Sequence, residues 1–261
     1  MELQNHSYWE IILTIISVFS TFMLGHNFWL TAKNEAETIK IELITSDNFP
    51  ASDSIVKQER IKDFRVFTDN DSQLVNDYQA EEKTLVAQIK NDENANLAAI
   101  ELYPHPIVLE ARKFAGYTAS ENAETFVAPD FIGGETAKEQ RESYSKFAKV
   151  LFNNSSHAQI VNHRLEIVLQ DNPSRLKADE KLSVKVLFDG KPIANLRVSS
   201  GAKNSNNGKY FGQARTDENG FAEIAISQND LCFVRTHFIR KHQDAENFEW
   251  ESFWASITFR L

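Results

Sequence analysis

Leu182-Ser-Val184-Lys-Val186-Leu-Phe188, then Asp189-Gly190-Lys191-Pro192, then Ile193-Ala-Asn-Leu196-Arg-Val198, is the stretch whose reading decides the fold. Apolar residues fall on every second position of its first part, the period of a half-buried strand. Asp189-Gly190 ends that strand with the residue pair that tolerates the positive φ angles of a two-residue hairpin turn, and a second alternation follows at hairpin distance. Working outward, residues 201–208 form a polar connection, and Thr216-Asp217-Glu-Asn-Gly220 is another turn cluster. Phe221-Ala-Glu-Ile224-Ala-Ile226 leaves it as a further strand. Upstream, residues 164–169 alternate before Asp171-Asn-Pro173 closes them. Short strands separated by turns at this spacing predict an all-β sandwich of the immunoglobulin-like or transthyretin-like kind.

The first half of the chain reads similarly. Residues 38–44, 61–67, 85–89, 97–103 and 107–111 are strand candidates, with His105 held extended between Pro104 and Pro106. From 114 to 134 the strand pattern lapses, and over 136–152 the residues Tyr144, Phe147, Ala148, Leu151 and Phe152 fall at helical spacing. Glu142 and Lys146 add an i,i+4 pair, so the expectation is one amphipathic helix over about 136–152. Asn153-Asn-Ser-Ser156 reads as a linker. The predicted organisation is mainly β: a signal peptide or signal anchor over 1–25, an N-terminal β-rich domain over 26–156 ending in the helix, and a C-terminal β-sandwich domain over 157–261.

The leading segment supports an extracytoplasmic location. Residues 11–24 are almost unbrokenly apolar, too few for a comfortable bilayer span of about 20 residues but fitting the apolar region of a secretory signal. Cleavage after Gly25 would make His26 the mature N-terminus and place the protein in the periplasm. Uncleaved, the segment would be an inner-membrane anchor with Tyr8-Trp9 and Phe28-Trp29 as interfacial aromatics. The net charge of −9 argues against nucleic acid as a partner. Cys232 is the one cysteine, which excludes an intramolecular disulfide and any CxxC metal or redox site.

The chain contains no Gly-x-Ser-x-Gly elbow, no His-Glu-x-x-His helix, no phosphate loop and no dinucleotide fingerprint. The expectation is a non-enzymatic protein without an organic cofactor. Histidine is then the chemistry to follow. An N-terminal His26 would offer its amine and ring nitrogen as a chelate, and one further imidazole would complete a nitrogen site suited to Cu(II) or Ni(II). His163 and His237 are the candidates for that imidazole; in Val234-Arg-Thr-His-Phe238 strand alternation puts Arg235 and His237 on one face. Each could equally be a hydrogen-bonded structural histidine. Trp250-Glu-Ser-Phe-Trp254 reads either as an aromatic core plug or, if exposed, as a binding face formed by Trp250 and Trp254.

Val186-Leu-Phe-Asp-Gly-Lys-Pro192, Thr216-Asp217 with Gly220, and Trp250-Glu-Ser-Phe-Trp-Ala-Ser-Ile-Thr-Phe259 together resemble the DUF4198 domain family of exported bacterial proteins. His26-Asn-Phe-Trp-Leu30, Glu142-Ser-Tyr-Ser-Lys-Phe-Ala-Lys149 and Asn162-His-Arg-Leu-Glu-Ile167 extend the likeness over most of the chain. Members are often described as periplasmic components of nickel or cobalt uptake. The resemblance therefore implies a divalent metal ion, nickel or cobalt with copper as the alternative, and a membrane metal transporter as partner. The competing expectation is an envelope structural or adhesive module that binds a protein or glycan without metal.

Overall fold

The computed structural model describes residues 27–121, 139–177, 179–203, 210–227, 231–244 and 246–261. Three β-sheets account for the architecture. The strands before the helix are β1 (Phe28–Asn34), β2 (Thr38–Thr45), β3 (Ile61–Phe67), β4 (Ser72–Leu74), β5 (Gln79–Glu81), β6 (Thr84–Lys90) and β7 (Leu97–Leu109). Helix α1 (Ala111–Ser120) follows, then β8 (Gln140–Leu151), β9 (Leu165–Leu169), β10 (Lys181–Phe188), β11 (Lys191–Pro192) and β12 (Arg197–Ala202). The last four strands are β13 (Gly212–Arg215), β14 (Phe221–Ala225), β15 (Leu231–Lys241) and β16 (Trp250–Arg260).

An eight-stranded sheet in the order β13-β12-β15-β16-β8-β7-β3-β4 runs through the centre. A four-stranded sheet, β1-β2-β6-β5, covers one face of it, and β10 with its partners β9, β11 and β14 covers the other. Side-chain alternation sorts the central strands between the two cores. On β7, Ala98, Ile100 and Leu102 pack with Phe28, Ile41 and Leu85 of the first small sheet, while Leu97 and Ala99 face the opposite way. On β8, Ala148 and Val150 join the first core and Phe147 and Leu151 the second. The second core is completed by Ile167, Leu182, Val184, Cys232, Val234, Phe253 and Ile257. The protein is thus two β-sandwiches that share their middle layer.

The Asp189-Gly190 hairpin forms as its residues require: both have positive φ, +48° and +73°, and β10 pairs with β11 directly across it. Across the proline pair the β7–β8 register slips between Leu102 and His105, but both strands continue. At the free edge of β1, Ser256 Oγ donates to the Phe28 carbonyl at 2.6 Å and Thr258 Oγ1 donates to that of Leu30. These hydroxyls of β16 satisfy backbone acceptors that would otherwise be buried unpaired.

The expected helix over 136–152 is a correction. Gln140–Leu151 is strand β8, the centre of the large sheet, paired antiparallel with β7 and parallel with β16. Both faces of β8 are covered, so its apolar residues need not alternate with polar ones, and the same spacing fits a helical stripe. The helix lies earlier, at 111–120, where Ala111, Phe114, Tyr117 and Thr118 are its buried positions. Among the described residues no helix is long and apolar enough to cross a membrane.

Candidate functional site

Three neighbouring strands put a row of polar side chains on one face of the central sheet. In the β15–β16–β8 register His237 lies opposite Trp254, and Trp254 opposite Lys146. Alternation adds Arg235 from β15, Ser252 from β16, and Glu142 and Tyr144 from β8 to the same face. Helix α1 packs beside this row, with Phe114 and Tyr117 against Trp250, Trp254 and Ile239. Trp29, Ile44 and Phe49 pack on Phe233 at the other side. The polar band lies between these two apolar contacts.

Tyr117 links the helix to the sheet. Its hydroxyl is 2.8 Å from His237 Nε2 and 3.3 Å from Glu142 Oε1, and Ser252 Oγ donates to the same carboxylate oxygen. Burial, then the charge of Glu142, push the Tyr117 phenol well above its usual range, so it carries a proton. With that proton given to Glu142, His237 Nε2 must be the donor to Tyr117, and Nδ1 is left with a lone pair. Nδ1 is buried and has no hydrogen-bond partner among the described residues; neither has Glu142 Oε2. Burial lowers the His237 imidazole to about 3, so the ring is neutral across the physiological range. Burial also raises the Glu142 carboxyl to about 7 and lowers the Lys146 ammonium to about 8.

Charges are paired around the band's margin. Glu121 accepts from Arg235 Nη2 and, at 3.1 Å, from Arg197 Nη2. Burial would push the Glu121 carboxyl up, but Arg235 and Arg197 hold it below the usual range. The Arg235 guanidinium also lies 4.9 Å from the Tyr210 ring centroid and 5.5 Å from that of Trp254. Its Nη1 donates to the side chain of Asn27, whose own amide is 3.0 Å from Asp47 Oδ1. The first described residue of the chain is thereby docked at the band.

Of the residues singled out from sequence, His237 sits in this band. His26 lies outside the described residues, one peptide bond from Asn27. His163 is elsewhere: its ring packs on Phe147, 5.2 Å between centroids, on the opposite face of the central sheet. Burial and the Lys149 charge push its imidazole well down. The structure does not bring His163 and His237 together. Trp250 and Trp254 are buried beneath α1, and Trp250 Nε1 donates to Gln140 Oε1 at 2.7 Å, so neither ring offers an exposed binding face. Sequence reasoning missed Tyr117, Glu121, Glu142, Lys146 and Ser252. The alternation in Glu142-Ser-Tyr144-Ser-Lys146 is a period-two signal, but the i,i+4 spacing of its ends fits a helix as well.

A family model described as "Domain of unknown function (DUF4198)" matches residues 23–240. Among solved structures, the D0-D1 domain of intimin is similar at 13% identity, covering 91% of this chain and 100% of that one, with a TM-score of 0.21. Native alpha-2-macroglobulin from Escherichia coli, spanning domains MG0-NIE-MG1, is similar at 7% identity, covering 78% of this chain and 91% of that one, also with a TM-score of 0.21. No curated protein matches the chain.

Proposed function

Because the chain belongs to the DUF4198 family, we propose that it is a non-enzymatic binding protein outside the cytoplasm that takes up a divalent transition-metal ion and passes it to a membrane transporter. Nickel or cobalt is the cargo that the family resemblance favours. The observation that carries the reading is His237: a buried, neutral imidazole with Nε2 engaged by Tyr117 and Nδ1 without a partner among the described residues. A metal-bound histidine is usually oriented in this way, one nitrogen held by a neighbour and the other left to the ion. Glu142 Oε2 adds a second buried oxygen, able to ligate an ion, that has no partner among the described residues.

Among the described residues no three His, Cys, Asp or Glu side chains gather as a group that could hold a metal ion. The site therefore needs donors from beyond them. His26 is next to Asn27, which Arg235 holds at the band, and cleavage after Gly25 would give His26 a free amine as well as its ring. His163, on the other face of the sheet, has no part in this arrangement.

The test is intact mass and metal analysis of the protein from the exported fraction of a bacterial host, with His237→Ala and His26→Ala variants alongside. The expected result is a mature chain beginning at His26 with about one equivalent of Ni, Co or Cu, lost in both variants. An uncleaved chain that takes up none of the three metals would remove the reading.

A further inference from the structure

A second cluster of charge lies further along β8, where the band meets the segment between β2 and β3. A cavity of about 220 Å³ opens there, lined by Lys57, Arg60, His105, Tyr144 and Lys146 together with Thr45, Ser54, Ile55, Val56 and Leu102. Three of these side chains are cations and none is a carboxylate, in a chain whose net charge is −9. We propose that this cavity binds a small oxygen-rich dianion, of the size of an inorganic oxyanion or a short dicarboxylate.

Tyr144 organises the donors. Arg60 and Lys146 each place their charge 5.3 Å from its ring centroid, and Arg60 Nη1 is 3.4 Å from its hydroxyl. Arg60 is further fixed by Nη2 donating to the Tyr103 carbonyl at 2.9 Å, and its buried Nε has no partner among the described residues. His105 lies edge-on to the same ring, with centroids 5.6 Å apart. Asp47 and Glu142 act on Lys146 from outside the lining, so that ammonium is partly compensated; Lys57 and Arg60 have no carboxylate among the lining residues.

Lys57, Arg60 and Lys146 all line the cavity, the last two over the same Tyr144 ring. His105 lines the cavity with them, and its imidazole is lowered by burial and then by the charges of Arg60, Lys57 and Lys146. Lys146 is buried, so its charge acts on the cavity with little screening by water. A planar guanidinium, an ammonium and a phenol hydroxyl together suit a carboxylate or a tetrahedral oxyanion. The volume lies below the roughly 300 to 1,000 Å³ of sites for larger organic ligands.

The site needs no metal, so it is tested on chelator-treated full-length protein. Inorganic phosphate, sulfate and succinate are titrated separately against sodium chloride at matched ionic strength, with calorimetry and the His105 ring resonances as readouts. The expected result is single-site binding of phosphate and sulfate, or of succinate, with an upward move of the His105 titration. Affinity should fall at least tenfold in Lys57→Gln, an exposed position whose change spares the fold, and in Arg60→Gln. Lys181→Gln, an equal charge change on β10, should leave it unaltered. No binding beyond that of chloride, or an equal loss in Lys181→Gln, would overturn the proposal. Whether tetrahedral oxyanions or succinate bind identifies the source of the dianion, independently of metal uptake.

Discussion

Glu142 illustrates what the shared middle layer does to a single side chain. On an exposed helix it would be an ordinary surface carboxylate, but on β8 it is buried against Ser252 and Tyr117, and burial raises it to about 7. The unfolded chain releases this proton near pH 4.5 while the fold retains it until about 7. Stability therefore falls as pH rises through that interval and is lowest above it. Glu142→Gln keeps the acceptor oxygen and removes the titration. Relative to the variant, the wild-type protein should lose up to roughly 3 kcal/mol between pH 4 and pH 8, read from urea unfolding at each pH. A gap that stays constant would mean that the carboxyl titrates normally in the fold. His237, lowered to about 3, acts in the opposite sense, withdrawing stability as pH falls from 6.5.

The helix expected over 136–152 lies instead at 111–120, and the reason is the environment of each segment. Helix α1 has a short buried face, and Gly116 interrupts its propensity, so little in the local pattern announces it. It is held by Phe114 and Tyr117 docking on the two tryptophans of β16. A Cβ added at Gly116 would meet no atom within 4 Å, and its φ is not in the left-handed region. Gly116→Ala should therefore stabilise the protein by about 0.5 to 1 kcal/mol through lower unfolded-state entropy and better helix propensity. A rise in the thermal midpoint, with the environment of Tyr117 unchanged, is the measurement; a fall would mean that the helix needs this glycine for packing.

At the scale of the whole molecule, residues 27–156 and 157–261 each supply an outer four-stranded sheet, but the central eight-stranded sheet draws strands from both. Strand β16 pairs along Trp250–Thr258 with β8, and Phe147 and Leu151 of β8 fill the core beneath β9 and β10. A buried ion pair, Lys149 with Glu166 at 2.9 Å, joins β8 to β9 across residue 156. A fragment of residues 157–261 would expose the long edge of β16 and leave Glu166 buried without its cation. Such a fragment should not fold alone, giving poorly dispersed amide resonances and aggregation, while the full chain unfolds in one transition. A well-dispersed spectrum from the isolated fragment would show that the second sandwich closes without β8.

The family, the β class and the hairpin at Asp189-Gly190 were legible in the sequence because they depend on local chemistry: alternation within a strand and two residues that accept positive φ. So was the pairing of Arg235 with His237 on one face, which needs only the period of a strand. The sequence could not reveal that β8 lies between two cores, since from Phe147 to Leu151 the strand is buried on both faces and loses its period-two pattern. Nor could it show that Tyr117 of α1 meets His237 and Glu142 from strands far along the chain. His163 and His237 looked equivalent as lone histidines near strands. Only the central sheet, by placing them on opposite faces, decides that His237 enters the polar band and His163 packs against Phe147.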